Sequence, residues 1–159
     1  MKFFLKYILF IGTFGILGYY RDFLFVNLNY RLFRLYYNNT NYVLPESLMF
    51  FNQFDYNTLY YIKYPITVLF FIAYFATTFF AVRIFCLNKK NTILVIYIYI
   101  LLLVLAGMTM IYNYIINHQI DGDEYSFARW LMGIGQSPLV SFFIIASSKL
   151  YNKFQNAQP

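Results

Sequence analysis

Four long apolar runs separated by short polar stretches set the pattern of this chain. The first runs from about Tyr7 to Tyr20 behind Lys2 and Lys6, pauses at Arg21-Asp22 and resumes in Phe23-Leu24-Phe25-Val26. It lacks the small-x-small exit that a signal peptidase cuts, so it predicts an uncleaved helix over about 3–24. The other runs cover about 65–87, 92–116 and 127–150. Each reaches the ~20 residues that a helix needs to cross a ~30 Å hydrocarbon core.

The stretch between the first two runs, about 27–63, has a different periodicity. Asn27, Arg31, Arg34 and Asn38 recur at helical intervals, with Leu28, Leu32 and Leu35 beside them. This predicts an amphipathic helix that either lies in the membrane interface or continues the first span out of the bilayer. Asn38-Asn39-Thr40-Asn41 ends it, and Pro45-Glu46-Ser47 opens a short helix with proline in the first turn. Asp55 and Asn57 are capping candidates, and Lys63 sits in a belt of tyrosines at the next interface. Pro65 either opens the second span or kinks it one turn in. The expected fold is all-α, a polytopic membrane protein forming one domain over 1–159. It has four transmembrane helices and an amphipathic interfacial helix in the first outer loop.

Composition supports the membrane as solvent. Hydrophobic residues make up 61% of the chain and charged residues 11%, too few polar groups to cover a soluble surface. The 20 Phe and 18 Tyr come with many Ile, Asn and Lys, a bias expected of an AT-rich genome, and this account takes precedence over a functional one. The net charge of +6 is not a nucleic-acid signature, because no basic run exceeds Lys89-Lys90. The basic residues report topology instead. Lys2, Lys6, Arg83, Lys89, Lys90, Lys149 and Lys153 fall on one side. Arg21, Arg31, Arg34, Lys63 and Arg129 fall on the other, spread over a longer loop. Both termini are therefore expected in the cytoplasm, with the chain in a bacterial inner membrane.

Few residues offer chemistry. Cys86 is the single cysteine and His118 the single histidine, which excludes an intramolecular disulfide and a zinc site built from this chain. The predicted topology sets them ~30 Å apart across the bilayer, too far for a catalytic dyad. Asp121, Asp123 and Glu124 alternate around Gly122 but lack the continuation of a calcium loop. The paired aspartate motifs of four-span lipoprotein signal peptidases are missing as well. No catalytic residue, cofactor or metal is expected. No ionisable group lies deep inside a predicted span; Arg21, Asp22 and Arg129 stand near the outer ends of helices one and four, where Asp22 is expected to pair with Arg129.

Helix four concentrates small and polar residues in Gly133, Gly135, Gln136, Ser137, Pro138 and Ser141. Small residues let membrane helices approach, and polar ones hydrogen-bond across the contact. Pro138 lacks an N–H and releases the Ile134 carbonyl to Ser137, Gln136 or a neighbouring helix. Arg21, Asp22, Arg129, Gly133, Gln136, Ser137 and Pro138 thus form the candidate packing or partner surface. Arg31, Arg34 and Lys63 are the expected interfacial anchors.

Two patterns carry a resemblance. Arg21-Asp22-Phe23-Leu24-Phe25 with Asn27 and Asn29, and Ala128-Arg129-Trp130-Leu131-Met132-Gly133 leading to Gln136-Ser137-Pro138-Leu139, resemble the small membrane proteins associated with the exosortase F system in Bacteroidetes. The resemblance implies an accessory inner-membrane protein encoded beside a membrane sorting enzyme, with no assigned activity. The sorting enzyme itself uses Cys, Arg and His, which Cys86 and His118 do not reproduce. The expected function is that of a non-enzymatic subunit that binds or stabilises a larger membrane protein. Its partners are that protein and membrane lipids; its stoichiometry is left open. The alternative is a membrane enzyme or lipid-modifying factor using Arg21, Asp22 and Arg129. A small transporter ranks third, because no span shows the buried acid or broken-helix pair of a midplane site.

Overall fold

The computed structural model describes residues 2–37, 44–86, 89–117 and 126–155. Among them every element is helical: α1 (Lys2–Tyr36), a 3-10 helix η1 (Glu46–Gln53), α2 (Tyr56–Cys86), α3 (Lys89–Asn117), α4 (Ser126–Gly135) and α5 (Leu139–Gln155). Three helices are long and apolar enough to cross a membrane, and α4 with α5 makes a fourth if that bent pair is one span. Apolar side chains face outward to an extent that water would not tolerate. Only 11% of the apolar window of α1 is buried inside the protein.

α1 decides between the two expectations for residues 27–38. It runs without a break through Tyr36, so no separate interfacial helix forms. No proline interrupts it, and its apolar stripe continues through the charged region. Phe10, Phe14, Leu17, Arg21, Leu24, Leu28 and Arg31 alternate at spacings of four and three, the repeat of a helix seam. The far part of this seam packs Leu28 and Leu32 on Leu59, with Phe51 and Phe54 from the η1 region closing over them. At 1.5 Å per residue α1 is ~52 Å long, ~20 Å more than a bilayer core.

α2 is the central helix and touches α1, α3, α4 and α5. It starts well before the apolar run, because Asp55 caps it. The Thr58 N–H donates to Asp55 Oδ1 at 3.3 Å, and the Leu59 N–H to the Asp55 carbonyl at 3.0 Å. Hydrogen bonds from Thr58, its side chain foremost, hold the Asp55 carboxyl below the usual aspartate range. Pro65 therefore lies inside α2 rather than at its mouth. η1 opens after Pro45, which stands just before the helix rather than in its first turn.

The main core joins the helices through aromatic rings. Tyr99 of α3 packs on Phe71 and Phe75 of α2 at centroid distances of 5.2 and 5.1 Å, and Phe10 of α1 meets Phe142 of α5 at 5.6 Å. Aromatics thus occupy interfaces that membrane proteins more often fill with small residues. Polar links add direction: Thr78 and Tyr99 share a buried hydrogen bond of 3.0 Å between α2 and α3, and Asn91 Nδ2 donates to Ser148 Oγ at 2.8 Å between α3 and α5.

A candidate contact site at the break between α4 and α5

The fourth apolar run is not one helix. α4 ends at Gly135, α5 begins at Leu139, and their axes differ by 55°. The Gln136 N–H still donates to the Met132 carbonyl at 2.9 Å, the last helical bond of α4. Pro138 cannot donate to Ile134, and Ser137 takes over that carbonyl with both groups: its N–H at 3.2 Å and its Oγ at 2.7 Å. The Pro138 carbonyl then starts α5, accepting from the Phe142 N–H at 3.0 Å and from Ser141 Oγ at 2.7 Å. The break leaves no orphaned carbonyl at Ile134 or Pro138, as a break in lipid requires.

Freed from the helix surface, the Gln136 side chain turns inward and is 4% exposed. Its Nε2 donates to the Thr67 carbonyl of α2 at 2.7 Å, and its Oε1 accepts from Arg21 Nε of α1 at 2.9 Å. One amide therefore ties α1 and α2 to the break. Arg21 occupies a seam position of α1, which is why it points there. Asp22 is one residue, or about 100°, further round the helix. Its carboxylate accepts from Arg21 Nη1 at 3.2 Å and is 71% exposed.

The expected pairing of Asp22 with Arg129 is not what forms: the ion pair of Asp22 is with its neighbour Arg21, and Arg129 is exposed on α4 beside the stacked rings of Phe127 and Trp130. Arg129 lies close enough to Lys63 for their charges to repel. Arg31, an expected anchor, is 9% exposed in the α1 seam. Arg34 lies over the Tyr30 ring and donates to its hydroxyl, and Lys63 lies 5.9 Å above the Tyr60 ring.

The glycines also separate. A Cβ on Gly133 would meet nothing within 4 Å, so Gly133 makes no close helix approach. A Cβ on Gly135 would fall 2.3 Å from Phe71 Cε2, so the α2 ring lies directly on the α4 backbone there. His118, the acidic loop residues and Tyr125 lie outside the described residues, and Cys86 is the last residue of α2. The described residues hold no cluster of metal-ligating side chains.

Levels along the helices locate the site. By axial rise, Arg21 stands ~22 Å from Lys6 on α1, Thr67 ~24 Å from Arg83 on α2, and Gln136 ~19 Å from Lys149. The three lie at similar distances, about 19–24 Å, from the basic ends of their helices. A broken helix is present, which removes one ground for ranking a transporter last, although the Gln136 and Ser137 side chains are both engaged at the break. Comparison with protein families, curated proteins and solved structures gives no match to this chain.

Proposed function

We propose that this chain is a non-enzymatic, four-span membrane subunit that binds and stabilises a larger membrane protein through the outer face of α1. The Asp22 carboxylate carries this reading. If the basic ends mark one edge of a ~30 Å hydrocarbon core, Arg21, Thr67 and Gln136 lie in the opposite half of the bilayer. There Asp22 presents a 71% exposed carboxylate to the lipid side, covered on one flank only by Arg21. Charges at such depth are costly against lipid and mark contacts with polar groups. Around Asp22 the same stripe of α1 is exposed and apolar, through Ile11, Tyr19 and Val26. A partner helix bearing an arginine, lysine or hydroxyl at the level of Asp22 would satisfy both features.

The resemblance supplies a class for that partner, an exosortase-type sorting enzyme. The basic ends belong in the cytoplasm of a bacterial inner membrane. Enzymatic use of Arg21 is disfavoured, since Gln136 and Asp22 already engage its guanidinium. The test is affinity capture of tagged chain from detergent-solubilised native membranes. Asp22→Leu is expected to lower recovery of the sorting enzyme about tenfold, the scale of one lost charge-assisted hydrogen bond. Undiminished recovery of that enzyme by Asp22→Leu, or its absence from wild-type captures, overturns the reading.

A further inference from the structure

Between α1 and α2, at the basic end of the bundle, lies a groove of about 320 Å³. Leu9 and Thr13 of α1 line it with Ala76, Thr77 and Phe80 of α2, and Lys6 stands at its mouth. The two threonines add no polarity. Thr13 Oγ1 donates to the Leu9 carbonyl at 2.7 Å and Thr77 Oγ1 to the Ala73 carbonyl at 2.8 Å, so both hydroxyls are engaged within their own helices. What remains is an apolar trough with an ammonium at one end.

Its length is informative. From Ala76 to Phe85 the lining covers ~13 Å of helix, close to half of a ~30 Å hydrocarbon core. The groove is thus one leaflet deep and ends near the midplane. Lys149 lies outside the groove lining, where it hydrogen-bonds the Tyr7 hydroxyl, and the Tyr7 ring packs on Phe85 at 4.6 Å. An apolar trough of one leaflet's depth, with the Lys6 ammonium at the headgroup level, matches a molecule with an acyl chain and a phosphate one chain length away. A partner helix would leave that match of charge to depth without a purpose.

We infer that the α1–α2 groove binds an anionic phospholipid of the leaflet at the basic ends, its acyl chain against Ala76 and Thr77 and its phosphate at Lys6. The inference rests on the membrane-spanning reading, which alkaline extraction of the membranes tests separately. A chain that washes off at high pH fails that reading, not the lipid site alone. The lipid site is tested by native mass spectrometry of the full chain in non-ionic detergent, offered phosphatidylglycerol and phosphatidylcholine in equal amounts. Wild type is expected to retain phosphatidylglycerol preferentially. Lys6→Gln, at an exposed position, is expected to reduce that retention about fivefold, the contribution of one lysine at an anionic headgroup. Ala76→Phe, which fills the trough, is expected to reduce retention of both lipids. Equal retention of the two lipids by wild type, retention unchanged in Lys6→Gln, or a second copy of the chain held in place of lipid would each overturn the proposal.

Discussion

At the residue scale, the break between α4 and α5 works because the groups that Pro138 disturbs find mates. Ser137 replaces the missing Pro138 N–H at Ile134, and Gln136 is released to bridge α1 and α2. Close packing fixes the position of that bridge, and Gly135 is where it is tightest. Gly135→Ala would place a methyl 2.3 Å from a ring that is itself 4% exposed and held against Tyr99, so Phe71 has little room to move. It is expected to lower stability by about 1–3 kcal/mol, the usual cost of overpacking. Gly133→Ala meets open space and is expected to be neutral or to stabilise by up to ~1 kcal/mol through helix propensity. Thermal melts of the two variants in one detergent check the contrast; equal destabilisation would contradict the packing described here. Nothing in the sequence separates these glycines, because the difference depends on where a ring from another helix lies. Ser137 was, in contrast, one of the three mates that the sequence offered the Ile134 carbonyl, beside Gln136 and a neighbouring helix. The Thr67 carbonyl was not legible, since any backbone oxygen of a neighbouring helix was eligible.

At the element scale, the first three apolar runs foretold α1, α2 and α3 and the fourth divided into α4 and α5, while the polar residues decided how the helices end and join. The amphipathic stripe from Asn27 onward proved to be the continuation of α1, because Leu28 and Leu32 follow the same seam as Phe10 and Phe14. That repeat also contains Arg21, and following it through the charged residue would have aimed Arg21 inward and Asp22 outward. Proximity of helix ends alone pairs Asp22 with Arg129, but a neighbour on the same helix, Arg21, takes the carboxylate. Helix-to-helix specificity in the apolar bulk falls to single hydrogen bonds such as Thr78–Tyr99. Thr78→Val leaves a buried Tyr99 hydroxyl unpaired and is expected to cost about 1–3 kcal/mol. Thr78→Val with Tyr99→Phe removes both partners and is expected to recover most of that loss. A double-mutant cycle by denaturation in detergent measures it, and simple additivity would mean the bond contributes nothing to pairing α2 with α3.

At the scale of the whole molecule, α1 is both wall and surface. Its seam holds α2 and the break, its far third stands above the bundle under η1, and its outer stripe is left to the surroundings. The proposed subunit role depends on that last face. Site-specific photocrosslinking in native membranes, from Tyr19 and Val26 on either side of Asp22, tests it most directly. Leu103, an exposed position on α3, serves as the control. Crosslinks from 19 and 26 to one larger membrane protein, weakened by Asp22→Leu and missing from 103, are the predicted result. Crosslinks to lipid alone from 19 and 26, or the same protein captured equally from 103, would contradict the account.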